Sequence, residues 1–122
     1  MEINSLYLLI KNIMKKTEYK NINFYIGQNA QENWIIFDEY KKLNENFIWF
    51  HLNSFPSPYV IMQSTLEELA CIYNQEEIEE ILNYGATLCK ENSKYKFLNN
   101  LKIMYSPLKK ITKGTKIGEV HV

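Results

Sequence analysis

The side chains that most often carry out chemistry are scarce in this chain. Its only histidines are His51 and His121, and its only cysteines are Cys71 and Cys89. Four such residues are enough to coordinate a zinc ion, but their separations in sequence do not match the short spacings of structural zinc sites. A catalytic cysteine–histidine pair requires the two side chains to lie in contact, and their positions in the sequence do not indicate this. We therefore expect no metal, no cofactor and no enzyme activity, with His51 as a lone acid or base as the remaining catalytic alternative.

The stretch around Gly27-Gln28-Asn29 is more informative, although no phosphate-binding glycine-rich motif is present. INFYIG (22–27) predicts a strand that ends at Gly27, and Asn29 is a suitable cap for a helix over 30–42. The N–H groups at that helix start could bind a phosphate or a carboxylate. From spacing alone we favour a structural connection in which Gly27 adopts an unusual φ angle and Asn29 caps the helix.

The elements that would position these residues begin with FIWFHLNSFPSPYVIM (47–62). FIWFH and PYVIM predict two strands, and the serines and prolines between them predict a turn. By alternation, Phe47, Trp49 and His51 share one face of the first strand, and the residues between them share the other. We expect one of these faces to be core.

The clearest helix is predicted to start near Asn74, because Asn74 and Glu77 resemble a capping box. A short helix over Leu66–Tyr73 would precede it, and Leu6–Ile10 fits either a strand or a helix start. Strands are also predicted at LKIMYS (101–106) and IGEVHV (117–122). Helices and strands mix without a regular βαβ rhythm, so we expect a single α+β domain with a mixed or antiparallel sheet and two or three helices. The apolar face of the main helix recurs at helical spacing: Ile78, Ile81, Leu82, Gly85, Leu88 and Cys89.

The composition is that of a globular protein. Of the 122 residues, 46% are hydrophobic and 23% are charged, which argues against disorder. The longest apolar runs fall far short of the roughly 20 residues that span a membrane, and the N-terminus does not resemble a signal peptide. Because the cysteines are few and widely separated, we expect a reducing, cytoplasmic location and no membrane partner.

The charges are unevenly distributed, although the net charge is zero. All 14 basic residues are lysines, so an anion would be met by ammonium groups and not by guanidinium groups. Residues 64–89 carry a net charge of −6, whereas residues 90–116 carry +7. A basic C-terminal region is compatible with an anionic partner, and equally with a solvated lysine face.

Five segments in a fixed order resemble the NFACT RNA-binding domain family over about residues 22–120. No segment is specific alone, but their order and spacing together are. The chain is most similar to the short stand-alone members, the coiled-coil-domain-containing branch. The segments are YIGQNAQEN (25–33), IWFH (48–51), SPYVIM (57–62), LNYGATLCKENSK (82–94) and IMYSPLKKITKGTKIGEV (103–120).

The resemblance implies RNA binding connected with translation, through tRNA or the large ribosomal subunit. The family places its motifs on the glycine turn, on the WFH strand and on the YSP segment that lysines follow. Tyrosines in these segments could stack on an unpaired base, and lysines would contact phosphates. The RNA-binding residues expected on this basis are Gly27, Gln28, Asn29, His51, Tyr59, Tyr105, Lys109, Lys110, Lys113 and Lys116.

The chain departs from the family pattern at three points. Gln28 occupies the position of a basic residue, and Tyr59 occupies the position of a second histidine. Any pair of histidines that is important in the family is therefore absent here. The charged coiled coil that ends the short members has no counterpart before Val122, so we expect a reduced version of the domain.

Two functions follow as hypotheses from this combination. The first is a non-catalytic RNA-binding protein that associates with rRNA or tRNA on the ribosome, in a special case by occupying a tRNA site of idle ribosomes. The second is a protein-interaction module that docks a basic partner through the acidic segment 67–80. The oligomeric state does not follow from the sequence.

Overall fold

The computed structural model describes residues 15–122, which form an α+β domain; the predicted element at Leu6–Ile10 lies outside them. Within residues 15–122, three α-helices pack against a five-stranded antiparallel sheet with the strand order β1-β2-β4-β3-β5. The predicted fold class is thereby confirmed. The strands are β1 (Lys15–Tyr19), β2 (Ile22–Ile26), β3 (Ile48–Leu52), β4 (Val60–Met62) and β5 (Ile103–Pro107), and the helices are α1 (Ala30–Leu43), α2 (Leu66–Ile72) and α3 (Gln75–Glu91).

Both faces of the sheet are buried, so one face of β3 is core as expected and the other face is core as well. Trp49 packs on the face that α1 covers, together with Phe37 and Tyr40 of that helix. Phe50 packs on the opposite face with Ile81 of α3. The alternation of β3 was read correctly, but because a helix covers each face, apolar residues occupy both sets of alternate positions.

Helix α3 starts where the capping box predicts. The side chain of Asn74 accepts a hydrogen bond from the backbone N–H of Glu77, and the Glu77 carboxylate accepts one from the backbone N–H of Asn74. Gly85 lies in the middle of the helix, where a side chain would collide with the ring of Phe50 at about 2.5 Å. The glycine therefore allows the helix to approach the sheet closely.

The C-terminal segment runs back along α1. A 3₁₀-helix, Leu108–Lys110, follows β5 and leads into a small hairpin of β6 (Thr112–Lys113) and β7 (Val120–His121). Trp34 of α1 binds this hairpin by a hydrogen bond, in which its indole N–H donates to the carbonyl of Glu119 at 3.2 Å. The predicted strand at 117–122 is therefore shorter than expected, and it pairs within the hairpin instead of joining the main sheet.

Candidate nucleic-acid interface

A cleft of about 410 Å³ opens at one end of the sheet, beside the start of α1 and the end of α3. Its walls come from four separate parts of the chain: residues 28–33, His51 with residues 56–58, residues 92–94 and residues 117–118. All of these residues except Pro56 belong to the segments that carry the family resemblance. We call this feature the motif cleft.

Asn33 fixes the wall between β2 and β4. Its side-chain amide is buried; the carbonyl oxygen accepts a hydrogen bond from the backbone N–H of Tyr59 at 3.0 Å, and the NH₂ group donates to the carbonyl of Ser57 at 3.5 Å. Gly27 lies against this amide and donates its N–H to the carbonyl of Tyr59 at 3.0 Å. Asn33 therefore positions the loop after Pro56 relative to the start of α1.

The predicted unusual φ angle of Gly27 is wrong. Among the described glycines, only Gly118 has a positive φ angle. Gly27 is required for a different reason, because a Cβ atom there would collide with the side chain and the Cα of Asn33. The glycine allows this close approach, which the turn residues alone did not indicate because Asn33 lies about one turn into α1.

The start of α1 is capped by the chain itself, as the sequence predicts. The side chain of Asn29 accepts a hydrogen bond from the backbone N–H of Glu32 at 2.9 Å, which confirms the predicted cap. The carboxylate of Glu32 accepts a hydrogen bond from the backbone N–H of Gln28 at 3.0 Å. Two donors near the helix start are thus already satisfied within the chain, and a carboxylate lies beside them.

His51 forms part of the cleft wall and is half-buried. Its ring is stacked on that of Trp49, with ring centroids 5.3 Å apart, and meets the ring of Tyr59 edge-on at 5.6 Å. Burial lowers the pKa of His51 below its ordinary value of 6.5. The imidazole is therefore neutral at pH 7 and offers the cleft hydrogen-bonding groups and an aromatic ring, but no positive charge.

Tyr59 is fully buried behind His51, and its hydroxyl donates a hydrogen bond to the carbonyl of Gly118. Burial raises the pKa of this hydroxyl above its ordinary value. Base stacking on Tyr59 is therefore excluded in this structure, because neither face of the ring is accessible. Tyr59 instead connects the sheet to the C-terminal segment that closes the cleft.

Two lysines that are not among the ten predicted RNA-binding residues lie at the cleft. Lys94 is exposed and forms part of the wall just beyond the end of α3. Lys15 of β1 donates a hydrogen bond to the side chain of Asn92, another wall residue, at 2.6 Å. Sequence reasoning missed Lys15 because KKTEY lacks the apolar alternation that predicts a strand, so the position of β1 in the sheet was not foreseen.

The predicted lysines of the C-terminal region do not gather at the motif cleft. Lys109 lies at the opposite end of the sheet, where its backbone N–H donates to the carbonyl of Glu45, and Lys110 is its neighbour in the 3₁₀-helix. Lys113 pairs with Asp38 at 2.5 Å and lies over the ring of Trp34. Lys116 is exposed in the turn of the β6–β7 hairpin.

Tyr105 also lies away from the cleft lining. It is half-exposed on β5, an edge strand of the main sheet, and its ring contacts that of Phe50 on the α3 face. Of the ten predicted RNA-binding residues, Gln28, Asn29 and His51 line the motif cleft, with Gly27 and Tyr59 directly behind them.

A second depression, which we call the far groove, lies at the other end of the sheet and has a volume of about 570 Å³. Glu67 and Glu68 line it with the exposed apolar side chains of Leu66 and Ile72. Lys109 lies on its rim. Its chemistry is acidic and apolar, in contrast to the polar motif cleft.

The cysteines do not form a reactive site. Cys89 is buried, its thiol donates to the carbonyl of Pro58 at 3.4 Å, and burial raises its pKa to about 11. Cys71 is exposed at the far groove, so the two cysteines are free thiols in different parts of the fold.

Within residues 15–122, no group of three or more histidine, cysteine or acidic side chains could hold a metal ion. None of the helices described is both long and apolar enough to cross a membrane.

Comparison with known proteins gives a likeness in fold to a solved structure. No family model matches the chain, and no curated protein is similar to it. Among solved structures, the C-terminal part of the fibronectin/fibrinogen-binding protein from Streptococcus suis is similar, with a TM-score of 0.66 and 23% sequence identity. The match covers 88% of this chain and 39% of that chain, so this chain spans about two fifths of its length. At this identity, the similarity concerns the fold alone.

Proposed function

We propose that this chain is a non-catalytic RNA-binding protein and that the motif cleft is its RNA-binding site. The observation that carries the proposal is the convergence of segments 28–33, 56–58, 92–94 and 117–118 on one polar cleft. These segments are distant in sequence, and all their residues except Pro56 belong to the motifs that resemble the NFACT RNA-binding domain. A set of family motifs that is retained only for core packing would not need to meet at an open cleft.

The charge distribution supports the same proposal. Residues 92–102, which follow α3 beside the cleft, contain three lysines and no acidic residue. Lys94 lies in the cleft wall, and Lys15 lies beside it. Since lysine ammonium groups contact phosphates as point charges, affinity should depend strongly on salt and only weakly on RNA sequence.

The resemblance suggests tRNA or rRNA as the target, and the ribosome as the place where it is met. We include in the proposal a cytoplasmic location and, as its special case, occupancy of a tRNA site on idle ribosomes.

The experiment is a titration of fluorescently labelled tRNA at 50 and 200 mM salt, with co-sedimentation of the protein with ribosomes from growing and starved cells. We expect binding at the lower salt and a steep loss at the higher salt. Absence of binding at low salt would contradict direct RNA recognition, and recovery of the protein only in the soluble fraction would contradict the ribosomal context.

A protein-interaction module remains the second candidate function, and the far groove is the observation that favours it. Ile72 is 70% exposed and Leu66 is 40% exposed, and both lie next to Glu67 and Glu68. A basic, partly apolar partner would complement this surface. The similar Streptococcus suis protein is described as a fibronectin/fibrinogen-binding protein.

Charge reversal separates the two candidates. Changing Glu67 and Glu68, which line the far groove, to lysine should abolish capture of a basic partner, while RNA affinity stays the same or rises. A loss of RNA affinity in this variant would contradict the assignment of RNA to the motif cleft.

A further inference from the structure

A surface beside the motif cleft has the composition of a single-stranded nucleic-acid platform. The turn after α3 reads KYKFLNNLK (94–102), in which lysines alternate with aromatic residues. Phe97 is 86% exposed, so its ring is almost entirely uncovered by the protein. At this exposure, Phe97 contributes little buried apolar surface to the fold.

The turn packs against the loop between β3 and β4 through one aromatic contact. The rings of Phe55 and Tyr95 lie 4.7 Å apart at an angle of 44°. On one side of this contact is the motif cleft, with Pro56 and Lys94 in its wall. On the other side, the same two segments line a second cleft of about 380 Å³, which includes Phe55, Leu98 and Lys102.

The two clefts are lined by neighbouring parts of the same two segments, with Pro56 and Lys94 at one and Phe55 and Leu98 at the other. We call the turn 94–102 together with Phe55 the aromatic track. Its exposed rings are Phe97 and, in part, Phe55. The ammonium groups of Lys94 and Lys96 lie over the rings of Tyr95 and Phe97, at 5.4 and 5.2 Å from the ring centroids.

We propose that the aromatic track binds unpaired RNA, with bases stacked on Phe97 and Phe55 and phosphates held by Lys94, Lys96 and Lys102. The inference rests on the proposed RNA-binding function and specifies its substrate as a single strand. Bases in a duplex already stack on each other and have no free face for these rings, whereas an unpaired base has one. The lack of acidic residues from position 92 to position 118 fits a polyanionic strand.

The test compares Phe97 variants on labelled oligoadenylate RNA of about 10 nucleotides, a length within the range that one small domain covers. We expect Phe97→Ser to lower affinity about tenfold, and Phe97→Tyr to retain wild-type affinity, because stacking on one ring contributes an effect of this size. Ile72→Ser is the matched control, since Ile72 is also highly exposed but lies at the far groove. It should leave affinity unchanged.

An oligonucleotide with the same phosphates and abasic sugars isolates stacking from charge. We expect Phe97→Ser and wild type to bind this RNA equally weakly. If wild type binds oligoadenylate but Phe97→Ser binds it with equal affinity, the aromatic track is contradicted and the proposed function stands. If wild type binds no RNA at all, both are contradicted.

Two further outcomes would overturn the inference. A blunt RNA duplex of equal length that binds as tightly as the single strand would remove the argument for stacking. Phe97-dependent binding to phosphatidylserine vesicles, together with an unchanged affinity of Phe97→Ser for RNA, would assign the surface to lipid instead. Because Phe97 is so exposed, its variants should fold, and circular dichroism spectra matching wild type would verify this.

Discussion

The two ends of the central sheet differ in how they are built. At the motif cleft, buried hydrogen bonds from Asn33 and Gly27 hold three chain segments together around a polar opening. At the far groove, exposed side chains of α2 such as Ile72 and Glu67 form the surface. Rigid support beneath a polar opening is typical of a site with defined geometry, whereas a shallow acidic and apolar surface is typical of a contact that tolerates different partners.

The largest expected difference between the two ends is in stability. Asn33→Ala should lower the free energy of unfolding by about 1–3 kcal/mol, because the backbone N–H of Tyr59 would be left buried without a partner. Asn44→Ala at the far end is the control. Its side chain accepts one exposed hydrogen bond from the backbone N–H of Asn46, so its loss should cost less than about 1 kcal/mol. Urea unfolding followed by tryptophan fluorescence measures both, and equal losses would contradict the difference in support.

The next effect concerns RNA affinity and uses two pairs of lysines. Replacing Lys94 and Lys96 with glutamine should lower tRNA affinity about tenfold at low salt and reduce the slope of log K against log salt by about 2. The same change at Lys109 and Lys110 removes equal charge at the opposite end of the sheet and should change affinity less than about twofold. Fluorescence anisotropy titrations at several salt concentrations measure both. If the second pair matters as much as the first, RNA does not bind at the motif cleft specifically.

A smaller effect should follow from removing negative charge at the far groove. Changing Glu67 and Glu68 to glutamine should raise tRNA affinity by about twofold or less, because the groove lies at the other end of the sheet and exposed charges are screened by salt. The increase should disappear in 200 mM salt. A decrease in affinity would show that the far groove contacts RNA, which would remove the distinction between the two ends.

The smallest effect is a pH dependence of stability that arises from His51. Burial lowers the pKa of His51 in the folded state. Between pH 6.5 and that lower pKa, the unfolded chain therefore binds the proton more readily than the folded chain does. The contribution to stability is complete above pH 6.5 and is lost as the pH falls toward the folded-state pKa. Urea unfolding at pH 7.5, 6.5 and 5.5 should show this decline, and His51→Gln should make it shallower. An unchanged pH profile in His51→Gln would contradict the assigned cause.

The sequence predicted those features that depend on local patterns. The capping box at Asn74 and the cap at Asn29 each involve residues within one helical turn, and both are confirmed. The strands around His51 were likewise predictable from alternation and from the prolines between them. The overall α+β class follows from the order of such elements.

The features that sequence reasoning missed depend on contacts between distant residues. The role of Gly27 depends on Asn33 in the next helix, and the burial of Tyr59 depends on Gly118 in the C-terminal hairpin. Lys109 and Lys94 lie in the same basic region of the sequence but face opposite ends of the sheet, since β5 runs from one end to the other between them. A charge count along the chain cannot distinguish the two.

The most direct test of RNA binding at the motif cleft is a two-dimensional ¹H–¹⁵N NMR titration with a short single-stranded RNA. A chain of 14.6 kDa is suitable for residue-by-residue observation. The account predicts that the largest shifts occur at Gln28, Asn29, His51 and Lys94, while the amides of Glu67, Ile72 and Lys109 change little. Shifts concentrated at the far groove, or no shifts at low salt, would contradict it.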